Sequence, residues 1–176
     1  PFRSVDFSDL PPLQRLEVAA ASGPLAYRRY GADSKIAVIA LHGSTASSAS
    51  LHPLAKRLAS EGMAVYVPDL RGHGETGRRG DIDNPGRMLM DIDMLISRVR
   101  LDLPEAEVVL TGFSAGGGLA LHFGGSPMGH AADRYVLIAP ALGRGAPTTK
   151  SGGDLWAVPH IPRIVALSVL KNLGIT

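Results

Sequence analysis

Apolar residues along this chain come in two textures, short unbroken runs and longer stretches with helical spacing. Ile36–Leu41 reads IAVIAL, the composition of a strand buried on both faces. Ala64–Val67, Val108–Leu110 leading into Thr111-Gly112, and Arg134–Ile138 are shorter runs of the same kind. Between them, Leu51–Ser60 places apolar residues at 51, 54, 55 and 58 and is stopped by Glu61-Gly62. Met88, Leu89, Ile92, Leu95, Ile96 and Val99 form an amphipathic stripe that ends before Pro104. Ala115–Phe123 continues from the third run as a helix of small residues. Ahead of all this, a proline-punctuated opening over residues 1–17 reads as an extended lead-in. Leu16–Ala20 and Leu25–Tyr30 flank Ser22-Gly23-Pro24 and read as a hairpin.

A hairpin followed by three strand–helix repeats predicts an α/β fold, with a mostly parallel sheet of about six strands and helices on both faces. Residues 69–86 form a loop rich in glycine and charge. After Pro140 the texture changes to a Gly/Thr/Ser-rich stretch over 143–154 and then one apolar helix. Residues 1–142 are therefore expected to form the core, and 143–176 a separate sub-structure.

Composition narrows the functional classes. Of 176 residues, 45 % are hydrophobic and 19 % charged, enough to bury a core and too apolar for disorder. The net charge is only +2, and the positive charge is mostly scattered arginine. The one tight group, Arg71, Arg78 and Arg79, is interleaved with glycine and lacks aromatic neighbours, so no nucleic-acid partner is expected. Absence of cysteine excludes disulfides, thiol nucleophiles and thiolate metal sites. No apolar run reaches the roughly 18–20 residues of a membrane span, and no signal-peptide core is present. The first residue is Pro1, so a processed or truncated chain is expected, with room for a removed targeting or anchor segment. The cytoplasm is the default compartment.

The chemistry centres on Gly112-Phe113-Ser114-Ala115-Gly116, a G-x-S-x-G string between a predicted strand and a predicted helix. A serine hydroxyl is a weak nucleophile that must be exposed, aimed and deprotonated by a neighbour. A sharp strand-to-helix turn projects Ser114, Gly112 and Gly116 leave room for it, and the new helix turns its first free N–H groups toward a developing oxyanion.

Two further segments follow strand ends, where open α/β sheets place their sites. Leu41-His42-Gly43-Ser44 follows the first buried run, and the Ser44 N–H can join that of Ala115 in an oxyanion hole. Each such donor is worth roughly 3–4 kcal/mol of barrier. His42 is either the base or, as the preferred reading, a brace that hydrogen-bonds its own loop. The third segment, DLRGHGETGRRG from Asp69 to Gly80, reads as a structured loop beside the site. Metal binding by Asp69 and His73 lacks a second histidine, so no metal site is expected.

Taken together, HG after one strand, DLRGHG-x-x-G-x-RG after the next and GFSAGG after the third resemble the α/β-hydrolase superfamily. The RGHG…GRRG loop is most similar to monoacylglycerol lipases and lysophospholipase-like hydrolases. The resemblance covers roughly residues 15–145. It implies a cofactor-free serine hydrolase that cleaves carboxylic esters, with Ser114 as nucleophile, Ala115 and Ser44 as oxyanion donors, and Gly112 and Gly116 shaping the elbow. It also implies that 143–176 begins a cap or lid.

In this superfamily an Asp or Glu and then a His follow the nucleophile on later loops. After Ser114 the only acids are Asp133 and Asp154, and the only histidines are His122, His130 and His160. Asp133 precedes its strand and so lies at the wrong end. His122 lies about 12 Å along the helix, out of reach. Asp154 and His160 sit in the tail. The expectation is a nucleophile half of a catalytic unit, with a missing C-terminal segment or second chain supplying acid, base and further strands. A binding scaffold for a small apolar ligand or a partner is the non-enzymatic alternative. A peptidase, an acyltransferase and a cofactor-free haloperoxidase are the other enzymes that would use the same elbow.

Overall fold

The computed structural model describes residues 6–18, 23–84 and 86–143, with isolated helical positions at 162 and 169. The chain divides into two compact units, Pro1–Leu142 and Gly143–Thr176. The loop and helix expected over 144–176 lie outside the described residues, apart from those two positions.

Six strands, β1 (Gln14–Leu16), β2 (Leu25–Tyr30), β3 (Ile36–Leu41), β4 (Ala64–Pro68), β5 (Glu107–Phe113) and β6 (Arg134–Ile138), form one sheet in the order β1-β2-β4-β3-β5-β6. β1 pairs antiparallel with β2, and β2 with β4. The block β4-β3-β5-β6 is parallel throughout. Helices α1 (His52–Ser60), α2 (Arg87–Asp102) and α3 (Ala115–Gly124) make the crossovers. The six-strand, mostly parallel expectation holds. One boundary differs: the sequence pattern puts the first hairpin strand at Leu16–Ala20, of which 19 and 20 lie outside the described residues, but pairing with Leu25–Tyr27 falls on Gln14–Leu16, at the end of the expected lead-in. Three residues with only Leu16 apolar carry no alternation to read; cross-strand hydrogen bonds decide that register.

β3 sits at the centre because it can be covered on both sides. Ala37, Ile39 and Leu41 pack with Leu89, Ile92, Leu95, Ile96 and Val99 of α2 and with Phe123 of α3. Val38 and Ala40 face the other way, toward Ala55 of α1. Alternate residues of a strand point to opposite faces, so α1 covers one face, and α2 and α3 the other.

The chain leaves β3 toward β4 on one side and returns to β5 on the other. The carboxyl ends of β3 and β5 therefore flank the point where the winding reverses, the usual place for a site in such sheets. At the far side, β6 is the edge strand of the described sheet. Its Val136 and Ile138, with Phe113 of β5, are 48 %, 38 % and 47 % exposed, so the face that α1 covers elsewhere is open here.

Candidate active site

β5 ends at Phe113 and α3 begins at Ala115, leaving Ser114 alone to make the turn. It does so at φ +53°, ψ −116°, a conformation costly for a residue with a side chain. Three backbone hydrogen bonds hold it there: the Ser114 N–H donates to Ile138 O at 3.0 Å, and its carbonyl accepts from Gly118 N–H at 3.0 Å and Ala141 N–H at 2.9 Å. Strain of this kind persists only where the surroundings over-determine it.

Glycine is obligatory around that turn. A Cβ on Gly112 would lie 2.1 Å from the Gly116 carbonyl oxygen, and one on Gly116 would lie 2.4 Å from Leu41 O and 2.5 Å from His42 O. The first turn of α3 is thus pressed against both its own strand and the end of β3. The β3 end also reaches the serine: the position of a Cβ on Gly43 is 3.4 Å from Ser114 Cβ. So His42-Gly43-Ser44 and Ser114-Ala115 lie side by side. Ser44 is exposed and Ala115 half-buried. Thr45, next along, is held at φ +58°, a strained value for a β-branched residue.

His42 is fully buried and both ring nitrogens are occupied. The Leu70 N–H donates to Nε2 at 3.0 Å, which leaves Nδ1–H to donate to Gly43 O at 2.8 Å. Burial, the largest influence, lowers its pKa below the ordinary 6.5 and keeps the ring neutral. This histidine ties the β3 loop to the β4 loop and has no lone pair left for a base.

The 69–80 segment is built on one carboxylate. Buried Asp69 accepts the Ser48 N–H at 2.6 Å through Oδ1 and the Glu75 N–H at 2.9 Å through Oδ2, joining the loops after β3 and β4. Thr76 Oγ1 accepts the Ala26 N–H at 2.9 Å. Arg71, 1 % exposed, makes a bidentate pair with Asp91 of α2, Nε to Oδ2 at 2.7 Å and Nη2 to Oδ1 at 3.0 Å, and its Nη1 lies 3.5 Å from Asp83 Oδ2. Sequence reasoning missed this pair. Its signal was Asp91 itself, an acid within the apolar stripe of α2 that no buried helix face tolerates unpaired. With Asp69 engaged by backbone amides, no cluster of three or more metal-ligating side chains is found among the described residues.

No carboxylate or imidazole of the described residues hydrogen-bonds to the Ser114 side chain. Asp133 lies at the amino end of β6, where its Oδ2 accepts from Val108 N–H at 2.7 Å and Arg100 Nη2 at 2.9 Å. The Val108 bond chiefly, with Arg100, lowers its pKa. His122 and His130 are solvent-exposed, and Asp154 and His160 fall outside the described residues.

This strand order, with the strained turn at Ser114 between β5 and α3, defines a partial α/β-hydrolase fold. The serine aminopeptidase S33 hydrolase family matches residues 32–172, and the chain belongs to it. Among curated proteins, the chain is similar to a monoacylglycerol lipase of Mycolicibacterium smegmatis, with 29 % identity over 62 % of this chain and 39 % of that protein. It is also similar to human monoglyceride lipase, with 28 % identity over 80 % of this chain and 46 % of that protein. It thus spans less than half the length of either. Among solved structures, a soluble variant of monoglyceride lipase from Saccharomyces cerevisiae shares the fold at TM-score 0.63 and 20 % identity, over 74 % of this chain and 45 % of that one. A serine hydrolase without lid from Xanthomonas campestris matches at TM-score 0.60 and 21 % identity, over 77 % and 63 %. The chain is thus a member of the S33 hydrolase family that is similar to monoglyceride lipases.

Proposed function

We propose that this chain carries the nucleophile half of a serine hydrolase that cleaves carboxylic esters of monoacylglycerol or lysophospholipid kind. The observation that carries the reading is Ser114 held at positive φ between β5 and α3, with the Gly43 loop packed against its side chain. Ser114 Oγ attacks the ester carbonyl and gives its proton to a base. The carbonyl oxygen becomes an oxyanion held by the N–H groups of Ser44 and Ala115. The alcohol departs with the proton, and water then hydrolyses the acyl-enzyme along the same path. The two lipases similar to this chain, by their names, act on acylglycerols, which supports this substrate class. No cofactor enters these steps.

Acid and base come from polypeptide beyond the described residues. The edge position of β6 in the described sheet and the greater length of the relatives support further parallel strands beside it, each followed by a loop that reaches Ser114. Residues 1–142 are assigned to the core of the hydrolase and 143–176 to the beginning of its cap region.

The test is a fluorophosphonate probe on the complete protein. Rapid labelling that disappears in Ser114→Ala, with ester hydrolysis reduced by several orders of magnitude and the fold intact, supports the reading. Near-normal activity of that variant refutes it. An intact mass near 18.4 kDa with full esterase activity and no second polypeptide would refute the two-part catalytic unit and move the search to Asp154 and His160. A second reading, a non-catalytic scaffold, is favoured by the lack of a base at Ser114 among the described residues. It predicts no labelling at all.

A further inference from the structure

The loop that follows Gly43 borders an open cleft of about 650 Å³ that the Ser114 turn itself does not line. One side is Thr45, Ala46 and Ala49 from the loop that follows Gly43; another is His73 and Arg79 from the glycine-rich loop. The third is contributed by a residue far away in sequence, Phe7. Its volume lies within the range of small-molecule sites, about 300–1,000 Å³.

Phe7 is 49 % exposed, an unfavourable place for a large apolar ring unless something covers it. The ring is also held. It lies 5.9 Å, centroid to centroid, from the imidazole of His52, which is itself packed against Tyr30 at 5.6 Å. His52 Nε2–H donates to Asp9 Oδ1 at 3.1 Å, its Nδ1 accepts from the Tyr30 hydroxyl at 3.2 Å, and Lys56 Nζ lies 2.5 Å from Asp9 Oδ2. The Leu10 N–H closes the turn on Phe7 O at 3.2 Å. The segment before β1 is thus latched onto the start of α1, with its aromatic ring left facing the cleft.

We propose that Asp6–Leu10 is a wall of the substrate site and that Phe7 selects the alcohol portion of the ester. This rests on the ester-hydrolase reading. The lining is mixed: Thr45, His73 and Arg79 bring polar groups to the cleft, and Phe7, Ala46 and Ala49 apolar ones. A fatty acyl chain needs apolar lining all round; a glycerol-type alcohol, with a C–H face for Phe7 and hydroxyls for the polar groups, matches both halves, and a benzyl alcohol probes the Phe7 half alone. Thr45 is two residues from Gly43, whose Cβ position lies 3.4 Å from Ser114 Cβ, so the cleft borders the same loop that touches the serine.

The experiment compares benzyl hexanoate with methyl hexanoate, one acyl chain and two alcohols, on the complete protein and its Phe7→Ala and Phe7→Leu variants. A small alkyl fluorophosphonate reports in parallel on Ser114. Phe7→Ala should lower kcat/KM for the benzyl ester about tenfold, mainly through KM, as for other lost apolar pocket contacts. The methyl ester and the labelling rate should stay within about twofold, and Phe7→Leu should recover most of the benzyl ester activity. Equal losses on both esters, or none on either, with labelling intact, would overturn the assignment of Phe7 alone. Absence of labelling in the unsubstituted protein would overturn the hydrolase reading and this inference with it.

Discussion

Replacing Gly116 with alanine separates geometry from stability at this site. The added methyl would sit 2.4 Å from Leu41 O, 2.5 Å from His42 O and 2.7 Å from Leu41 C, all backbone atoms. Ordinary contact begins near 3.4 Å, so the start of α3 and the end of β3 must move apart by about 1 Å. Neither side yields easily, because Leu41 is in register with Gly112 of β5 and His42 is pinned at both ring nitrogens. Overpacking costs about 1–3 kcal/mol, while alanine in place of glycine within a helix returns up to about 1 kcal/mol. The net loss of stability should therefore be only about 0–3 kcal/mol. The same displacement separates the Ser44 and Ala115 amides across the contact that opens, and misplacement by about 1 Å costs on the order of 100-fold in rate. The assay is kcat for a short-chain p-nitrophenyl ester beside a urea unfolding curve, both on the complete protein. Gly125→Ala is the control: its Cβ would be 3.7 Å from the nearest atom, at φ −84°, and activity should be unchanged. Turnover of Gly116→Ala within about threefold of the parent, with the fold intact, would refute the idea that this contact sets the amide spacing.

Asp91→Asn should destabilise the protein by about 3 kcal/mol, because Arg71 stays buried with a neutral partner. A urea-derived loss under about 1 kcal/mol would mean that Asp83 and the backbone hold the guanidinium unaided. For His42 the sign follows from burial. Its pKa is lowered in the folded state, so the unfolded chain binds the extra proton as pH falls. The stability tied to its neutral ring is complete above about pH 6.5 and is lost as pH falls below that value. His42→Gln should remove that part of the pH slope between about 7 and 5; an unchanged slope would count against the buried neutral ring. Asp69→Ala strips the acceptor from the Ser48 and Glu75 amides, and should raise hydrogen exchange at both positions while leaving α2 protected.

What the sequence alone determined was everything that depends on near neighbours. IAVIAL reads as a strand covered on both faces, the stripe from Met88 to Val99 as an amphipathic helix, and Gly112-Phe113-Ser114-Ala115-Gly116 between a strand and a helix marks a strained turn. Patterns of period 2 and 3.6, and residues that permit positive φ or close approach, are local properties, and the chain carries them openly. The fold class and the position of Ser114 followed from them. The short β1 did not, since three residues have no period.

Tertiary structure decided every choice between distant partners. His42 could have been base or brace until Leu70 and Gly43 took both ring nitrogens. Asp69 found the Ser48 and Glu75 amides and so joins the loops after β3 and β4. Arg71 found Asp91, and Phe7 came to the cleft through the latch of Asp9 on His52. Each of these groups pairs with residues brought near by the packing of the sheet and its helices, and hydrogen bonds act over about 3 Å in space, whatever the separation along the chain.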